Sequence, residues 1–413
     1  MTKKRLLFIT FILSCTAHSW GQEVKADAEI RSRGEYRDGF QQPLLKTEDA
    51  AYVNNLRTKL NLSYKGEDIK AKLTLLDSRI YGKTAVANTG NSLGVLEAWG
   101  EYAFTPQFSL ALGRQGLEYD DKRLFSYNNW SNTPGAHDLL LLKYATEGLT
   151  VHLGSAYNNT GDSLKLPITP YTLAYKTLNF LWASKTFGKI AASAVWVNEG
   201  FEGGNVGSVS HFYRNTIGAN IWLSDKKSPT TFNVNGYYQF GKDNKDKELN
   251  AYLLSAKVQQ KLAAQWAAQI GGDLFSGSKT DIAASKNNTF NKLYGTNHAF
   301  NGSIEYWRNV PAQGLVDFYL GATFKRSRFS ANLTYHNFST QKEFEKGKGK
   351  GIGSEIDLTI DYTINSRLAL QGGWSTYLAN DGTDILKKQV NTDTRFPHWA
   401  YVQLTFKPVF FSK

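Results

Sequence analysis

Residues 52–64 read Tyr-Val-Asn-Asn-Leu-Arg-Thr-Lys-Leu-Asn-Leu-Ser-Tyr, and from residue 55 onward the side chains alternate in character. The even-numbered positions from 56 to 64 carry Leu, Thr, Leu, Leu and Tyr, whereas the odd-numbered positions carry Asn, Arg, Lys, Asn and Ser. A period of two indicates a β-strand with one apolar and one polar face. A soluble sandwich could give the same alternation. The charged second face must meet water, which favours a barrel around an aqueous interior.

The same alternation recurs along the chain, at 316–324, 355–362 and 400–407. Aromatic residues make up 14% of the 413 residues, and there are 36 glycines. Beyond the N-terminus, the sequence has no apolar run of about 18 residues, the length that a transmembrane helix needs. The sequence therefore predicts an all-β protein, a transmembrane antiparallel β-barrel.

The connections between the predicted strands are of two kinds. Eight are short and nine are longer and polar, and the two kinds alternate. This describes about 18 strands with both termini on the short-turn side, which is periplasmic in outer-membrane barrels. A count of 16 stays open because 158–190 is hard to divide. The predicted short turns are 65–68, 105–107, 146–148, 187–189, 224–230, 261–265, 325–328 and 363–366; the predicted long connections are 38–51, 81–92, 119–137, 158–170, 198–212, 241–249, 276–314, 338–353 and 378–397.

Aromatic residues cluster where the predicted strands meet the short turns. Tyr and Trp prefer the membrane–water interface because each ring combines an apolar body with a polar tip. This placement favours a membrane barrel over a soluble sheet. The residues in question are Tyr64, Tyr102, Phe104, Phe108, Tyr144, Phe187, Phe324, Phe329 and Tyr362.

The N-terminus has the layout of a secretory signal peptide. Lys3, Lys4 and Arg5 precede a short apolar run, and small and polar residues follow as far as Gly21. We expect cleavage after residue 21, leaving 22–413 as one outer-membrane barrel of a Gram-negative cell, inserted by the barrel-assembly machinery. The alternative is a lipoprotein site at Cys15, the one cysteine of the chain.

The net positive charge limits the kinds of partner that the protein is expected to bind. The formal net charge is +12, and +9 once the three basic residues of the signal are removed. This fits solvated loops, an anion pathway, or contact with the anionic head groups of outer-membrane lipid and lipopolysaccharide. Nucleic acid is not expected, since no binding motif accompanies the charge. A mature chain without cysteine, and without three ligands at metal spacing, predicts no metal and no cofactor.

Two predicted strands carry a concentration of charge. Between 28 and 37 the charged residues share one face, and Arg57 and Lys59 share a face on the next strand. Lipid cannot accept them, because an Arg at the bilayer midplane costs about 2–4 kcal/mol. These charges should therefore face the lumen, with Glu355, Asp357 and Asp361 on another wall. The charged set of 28–37 is Glu29, Arg31, Arg33, Glu35 and Arg37.

Several segments carry a family resemblance. Residues 113–123 read Gly-Arg-Gln-Gly-Leu-Glu-Tyr-Asp-Asp-Lys-Arg, and His137-Asp138 then opens a leucine-rich strand. Leu76-Asp77-Ser78-Arg79 precedes Leu96-Glu97-Ala98-Trp99, and 290–298 read Phe-Asn-Lys-Leu-Tyr-Gly-Thr-Asn-His. Together they resemble the alginate-export outer-membrane porin family, in its Bacteroidetes-type branch. The matched positions are Asp77, Arg79, Glu97, Arg114, Gln115, Tyr119, Asp120, Arg123, His137 and Asp138.

The resemblance implies an 18-stranded barrel whose lumen passes an anionic polysaccharide. We expect acid–base pairs around 119–137 to pin that loop inside the barrel, with contact to the solute as the alternative role. The residues predicted for the lumen pathway are Arg31, Arg33, Arg37, Arg57, Lys59, Arg79 and Arg114, and those predicted for the loop and its gating are Tyr119, Asp120, Asp121, Arg123, His137 and Asp138.

The predicted function is a passive porin for anionic solutes, among them acidic oligo- or polysaccharide. Two alternatives from other classes stay open. One is a surface binding or adhesion barrel, although only 276–314 is a long loop. The other is a hydrolase at the barrel rim, because Asp120-Asp121 and His137-Asp138 flank one loop and an acid with a histidine can activate water. We predict that the chain is not an enzyme.

Overall fold

A computed structural model describes residues 22–83, 92–159, 169–225, 227–344, 347–389 and 393–413. The predicted signal peptide, the cleavage site after Gly21 and the alternative site at Cys15 lie outside the described residues. The described chain forms one antiparallel sheet that closes on itself, because β1 pairs with β2 along one edge and with β19 along the other.

Eighteen long strands make the barrel in the part of the chain that the structure describes. Two further segments are short: β14 pairs with β12, and β20 extends the pairing of β1. The prediction of 18 strands is thus confirmed. The barrel strands are β1 (Glu23–Asp38), β2 (Ala51–Lys65), β3 (Ile69–Ile80), β4 (Leu93–Ala103), β5 (Phe108–Gln115), β6 (His137–Thr146), β7 (Leu149–Tyr157), β8 (Thr177–Phe187), β9 (Ile190–Asn205), β10 (Ser208–Leu223), β11 (Thr230–Lys242), β12 (Glu248–Lys261), β13 (Trp266–Phe275), β15 (Leu315–Arg326), β16 (Phe329–Ser339), β17 (Gly351–Asn365), β18 (Leu368–Leu378) and β19 (His398–Phe406); the short ones are β14 (Lys286–Asn287) and β20 (Val409–Ser412).

One short helix, α1 (Asp381–Lys387), lies between β18 and β19. Asn380 caps it, and its side chain accepts a hydrogen bond from the backbone N–H of Thr383. Within the described ranges, no helix combines the length and the apolar character needed to cross a membrane.

The short turns lie at one end of the barrel and the long loops at the other. The chain enters β1 and leaves β19 at the short-turn end, since both strands run between the same two ends in opposite directions. One predicted long connection is wrong. Residues 198–212 continue β9 and β10 as a paired hairpin, with only Val206 and Gly207 between the strands. Glycines at 204 and 207 take the positive φ values, +94° and +83°, that such a tight end requires.

Apolar side chains cover the outer surface of the barrel and charged side chains face its interior, which is the reverse of a soluble protein. On β1 and β2 the outward Ile30, Leu60 and Leu62 are 38%, 36% and 44% exposed, whereas the inward Arg31 and Arg57 are 4% and 0% exposed. Aromatic rings at the short-turn end lie on the outer surface; those at least one-third exposed include Tyr102, Phe104, Phe108, Tyr144, Phe187 and Tyr362. An apolar outer band with aromatic edges is the arrangement of a barrel surrounded by lipid.

Three of the long loops fold into the lumen. We call them L3 (116–136), L7 (276–314) and L9, whose described residues are 379–389 and 393–397 and which contains α1. Their apolar side chains pack with inward wall residues and make a hydrophobic core inside the barrel. The buried members from L3 and L7 are Leu117, Tyr119, Leu124, Phe125, Phe290, Ile304, Tyr306 and Trp307. The pore is therefore obstructed by folded loops, and its chemistry depends on what those loops leave exposed.

Candidate functional site

The predicted basic wall on β1 and β2 faces the lumen. Period-two alternation places the odd-numbered residues of both strands inward, and Arg31 lies directly opposite Arg57. Arg33 and Lys59 are 6% and 8% exposed, and Arg37 near the long-loop end is more open. Glu35 accepts from both Arg33 and Arg37, each at 2.9 Å, and Glu29 pairs with Arg57.

Two arginines of this basic wall hold the tip of L3 by hydrogen bonds to its backbone. Arg31 Nη1 donates to the carbonyl oxygen of Asn129 at 2.7 Å, and its Nη2 donates to that of Trp130 at 2.9 Å. Arg57 Nη1 donates to the carbonyl oxygens of Asn129 and Ser131 at 2.8 and 2.6 Å. The sequence separations of about 70 to 100 residues explain why the pattern of β1 and β2 alone could not reveal these partners.

The start of L3 is fixed against β7, β8 and β9. Tyr119 Oη lies 2.9 Å from His152 Nδ1. Asp120 accepts hydrogen bonds from Trp182 Nε1 at 3.0 Å and from Ser193 Oγ at 2.6 Å. Burial raises the pKa of Asp120, and the neighbouring Asp121 adds to the shift. Tyr119 and Asp120 thus bind wall residues and seat the loop.

Arg123 joins L3 to the opposite wall. Its Nη1 and Nη2 donate to the two carboxylate oxygens of Asp273 at 2.9 and 2.8 Å, and its Nε donates to Asp121 at 2.8 Å. The guanidinium also lies 3.9 Å from the ring of Phe300 in L7. Burial opposes its charge, yet Asp273 and Asp121 hold the pKa of Arg123 above its ordinary value.

The two residues of the His137-Asp138 pair point to opposite sides of the wall. His137 is buried, and its Nδ1 lies 2.9 Å from Tyr175 Oη. Asp138 lies on the outer face and pairs with Arg114 at 2.8 Å. Asp120 binds Trp182 and Ser193 instead, so the two acid and histidine pairs that the hydrolase alternative named, Asp120-Asp121 and His137-Asp138, are held by separate partners among the described residues.

Two residues predicted to line the lumen lie outside it, so the prediction for Arg79 and Arg114 is wrong. Arg114 shares its face with Leu112, which is 59% exposed on the outer surface. Arg79 lies opposite Leu56, on the face of β2 that carries Leu60 and Leu62. Each forms an outer ion pair, Arg79 with Asp77 at 2.7 Å and Arg114 with Asp138. Near the long-loop end the outer surface meets polar head groups or water, which accept such pairs.

Loop L7 is clamped onto an acidic wall. The backbone N–H groups of Ser303 and Ile304 donate to Asp357 Oδ2 at 3.1 Å and Glu355 Oε1 at 2.7 Å. Gly302, with φ of +85°, allows this approach, because a Cβ there would lie 2.3 Å from Glu355 Oε2. Further along L7, Tyr294 Oη donates to Glu199, which also pairs with Arg214 at 2.7 Å. The residues of L7 that make these contacts carried no signal in the sequence beyond the resemblance at 290–298.

Trp130 of L3 and His298 of L7 form a stacked pair across the lumen. Their ring centroids are 3.8 Å apart and the rings are inclined by 4°. The guanidinium of Arg33 covers the Trp130 ring at 4.1 Å. His298 is the one described residue that lines cavities on both sides of this pair. We call the space on the long-loop side of His298 the outer vestibule and the space on its short-turn side the inner chamber; the stack lies where the two adjoin.

The two spaces differ in charge. The outer vestibule consists of cavities of about 270, 300 and 500 Å³ that share Arg308. The inner chamber consists of cavities of about 460 and 500 Å³ that share Asp121 and Lys257. Six basic residues line the outer vestibule against three acidic ones, and five acidic residues line the inner chamber against two basic ones. The outer residues are Arg33, Arg37, Arg214, Lys292, Arg308 and Lys387 with Glu35, Asp243 and Glu305; the inner ones are Asp120, Asp121, Asp273, Asp317 and Asp357 with Arg123 and Lys257.

The surroundings of two lysines in the outer vestibule lower their pKa values. Burial, with a further contribution from Arg123, lowers the pKa of Lys292 to about 8. Burial also lowers the pKa of Lys387 to about 8, and its Nζ donates to the carbonyl oxygen of Gln41 at 2.9 Å. As for metals, the described residues contain no group of three His, Cys, Asp or Glu that could hold one.

The comparisons with known proteins agree with this fold. The model of the alginate export family matches residues 22–162, which confirms the resemblance over β1 to β7 and L3. No curated protein sequence matches the chain. Among solved structures, OccK5 (OpdH) of Pseudomonas aeruginosa superimposes with a TM-score of 0.62 at 14% identity, over 94% of this chain and 98% of that one.

Two further solved structures have the same fold. OccAB4 of Acinetobacter baumannii superimposes with a TM-score of 0.63 at 10% identity, over 95% of this chain and 99% of that one. The outer membrane protein opdK of Pseudomonas aeruginosa gives a TM-score of 0.62 at 10% identity, over 94% and 99% of the two chains. The fold is thus that of an outer-membrane porin, and together with the family match it supports an outer-membrane location.

Proposed function

We propose that this barrel is a passive pore for anionic solutes, including the acidic units of oligo- or polysaccharides. The observation that carries the proposal is the excess of basic residues around the outer vestibule, six against three acidic ones. A cleft with charge of one sign raises the local concentration of ions of the other sign. The family match over residues 22–162, by its description alginate export, supports the same class of solute.

The basic residues of the vestibule differ in how free they are to meet a solute. Arg33 and Arg37 share Glu35 as a partner, and Arg308 lies 4.0 Å from Glu305 with 44% of its side chain exposed. Arg31 and Arg57 donate hydrogen bonds to carbonyl oxygens of L3, so their guanidinium groups are engaged by the loop. We therefore assign the solute contact to Arg37 and Arg308, and the support of the constriction to Arg31 and Arg57.

The size of the passage limits what enters. Cavities of about 270 to 500 Å³ admit a small solute, whereas a polymer chain requires L3 and L7 to separate at the Trp130–His298 stack. We propose that the barrel transports without chemistry or cofactor, that residues 22–413 are the mature chain, and that the short-turn end with both chain ends is periplasmic. In this orientation the basic vestibule opens to the outside, beside the lipopolysaccharide leaflet.

The test is electrical. The refolded barrel in a planar bilayer under a salt gradient should give a reversal potential of anion preference. Oligomannuronate added on the long-loop side should interrupt the current more often than an uncharged maltooligosaccharide of equal length. A cation-preferring pore, or equal interruption by the two sugars, would contradict the proposal. Absence of any conductance would favour the adhesion alternative or the hydrolase alternative.

A further inference from the structure

Three short turns and the end of β19 bring positive charge together at the short-turn end of the barrel. Residues 261–265 read Lys-Leu-Ala-Ala-Gln, 325–328 read Lys-Arg-Ser-Arg and 363–367 read Thr-Ile-Asn-Ser-Arg, and a further lysine follows the last residue of β19. By sequence, these stretches hold six basic residues and no acidic one. We call the six the basic rim: Lys261, Lys325, Arg326, Arg328, Arg367 and Lys407.

Backbone hydrogen bonds hold these segments side by side. The backbone N–H of Lys325 donates to the carbonyl oxygen of Gln265 at 2.8 Å, which joins the first two turns. The carbonyl oxygen of Arg328 accepts from the backbone of the third turn at 2.8 Å. The backbone N–H of Lys407 donates to the carbonyl oxygen of Arg367 at 2.8 Å. The basic rim is therefore one continuous row that runs from β12 to β19.

The charges of the basic rim are exposed and unpaired. All six residues are exposed, and none of them forms an ion pair with another described residue. Asp361, the acidic residue of β17 closest in sequence to its short turn, accepts a hydrogen bond from Gln371 at 2.7 Å. By contrast, the five short turns between β2 and β11 are balanced by sequence, because four acidic residues accompany four lysines. Those acidic residues are Glu67, Asp68, Glu147 and Asp225.

The register of the strands places most of the basic rim at the mouth of the pore. Lys261 shares its face of β12 with Lys257, and Lys325 shares its face of β15 with Tyr319. Lys257 and Tyr319 both line the inner chamber. Arg326 has the outward register of β15, and the other three residues follow in the turns and after β19. The basic rim therefore borders the aqueous mouth, and lipid head groups are the competing partner.

The spacing of the six cations favours a chain over a small anion. Neighbouring strands lie about 4.8 Å apart, and six such intervals separate β12 from β19. The basic rim thus extends over about 30 Å. A small anion would meet one or two of its charges, whereas a linear polymer with repeated negative groups would meet all of them.

We propose that the basic rim binds a linear polycarboxylate chain along the short-turn mouth. The proposal rests on the proposed anion pathway for the passage of such a chain, and it adds a capture surface at the mouth opposite the outer vestibule. The acidic inner chamber lies between the two basic regions, so the basic rim is a separate site and does not continue the vestibule.

The test measures binding to the folded barrel in an uncharged detergent, independent of conduction. The probe is fluorescein-labelled decaglutamate, followed by fluorescence anisotropy, and a labelled Gly-Ser decapeptide is the uncharged comparison. We expect decaglutamate to bind and the Gly-Ser peptide not to bind. Sodium chloride at about 1 M should abolish the binding, because it screens exposed charges within about 3 Å.

Matched variants localise the site. Lys325→Gln, Arg326→Gln and Arg367→Gln together should weaken decaglutamate binding about tenfold, because three exposed charge contacts of ordinary strength are worth that factor. The control removes the same charge from the balanced half of the short-turn end, with Lys65→Gln, Lys189→Gln and Lys227→Gln, and should bind as the wild type does. Arg326→Lys with Arg367→Lys keeps the charge and should also keep the binding.

Three results would overturn the proposal. The first is equal weakening by the two triple variants, since binding would then follow net charge alone. The second is binding that survives the first triple variant but is lost in Arg37→Gln with Arg308→Gln, which would place the probe in the outer vestibule. The third is binding in phosphatidylcholine nanodiscs that phosphatidylglycerol nanodiscs abolish, which would make the basic rim a site for anionic lipid.

This outcome and that of the proposed function can be told apart. An anion-preferring pore that does not bind decaglutamate at the basic rim would remove this site and leave the proposed function standing. Binding at the basic rim of a pore without anion preference would contradict the proposed function alone. Folding of each variant is checked by its heat-modifiable mobility on gels, and the charge-keeping arginine-to-lysine variant shows that substitution in these turns does not by itself abolish binding.

Discussion

Arg123 and Asp273 form a buried ion pair with two parallel hydrogen bonds, at 2.9 and 2.8 Å, across 150 residues of sequence. Arg123 belongs to the inward loop L3, and Asp273 belongs to the wall strand β13. The side chains are 4% and 1% exposed. The pair therefore ties the loop that obstructs the pore to the barrel itself, and its loss should be felt in conduction.

The first prediction concerns this tie. In the Arg123→Ala variant, Asp273 stays buried without its partner, a situation that costs about 3–5 kcal/mol. We expect L3 to detach, which should raise the single-channel conductance or its noise. The control is Arg114→Ala, which breaks an ion pair on the outer surface that is worth at most about 1 kcal/mol. Identical traces for the two variants would leave L3 without a role in obstruction.

The second prediction concerns the stack between the two spaces. Trp130→Ala removes one ring of the Trp130–His298 pair together with the cover that Arg33 gives to it. The lost stacking is worth about 1 kcal/mol, a modest change in stability, but the outer vestibule and the inner chamber should become continuous. We expect a higher conductance and passage of longer oligosaccharides in liposome-swelling assays. Trp99→Ala, on β4 and away from the stack, is the matched aromatic control, and it should conduct as the wild type does.

The strands could be predicted because alternation is a local property. Residues 55–63 show their inward face in the sequence itself, and the closed barrel follows from repeating that pattern. The predictions for Arg79 and Arg114 rest on the family resemblance and do not use the alternation of their own strands. Counted by twos, Arg114 shares a face with Leu110 and Leu112, so strict parity would have placed it outside.

The site was less accessible to prediction, because its contacts join distant segments. The basic residues of β1 and β2 looked like an open anion patch, yet their guanidinium groups bind the carbonyl oxygens of L3. Every residue has a backbone carbonyl group, so the sequence of 129–132 does not indicate that its carbonyl oxygens accept these hydrogen bonds. The prediction of a loop over 198–212 failed for a related reason. The pairing between β9 and β10 that makes this segment a hairpin cannot be recognised from amino-acid composition.

The third prediction distinguishes the arginines that hold L3 in place from those that attract anions to the vestibule. Arg31, Arg33 and Arg57 changed together to Gln should lower anion selectivity and also release L3, since Arg31 and Arg57 hold its tip. Arg37→Gln with Arg308→Gln should lower the selectivity at nearly constant conductance, because neither guanidinium binds L3. The measurement is the reversal potential beside the single-channel conductance. Arg79→Gln on the outer surface should change neither quantity; a shifted reversal potential in that variant, or none in the other two, would refute the assignment.

The last prediction uses pH. Burial lowers the pKa of Lys292 and of Lys387 to about 8, so both are charged well below that pH and neutral well above it. Between pH 7 and pH 9 the outer vestibule should therefore lose positive charge, and the anion preference of the pore should fall as pH rises. Lys292→Met should remove part of this dependence and Lys292→Met with Lys387→Met nearly all of it, whereas Lys407→Met, at the short-turn end, should preserve it. A reversal potential that is constant across the interval in the wild type, or a dependence that survives the double substitution, would show that these lysines do not set the charge of the vestibule.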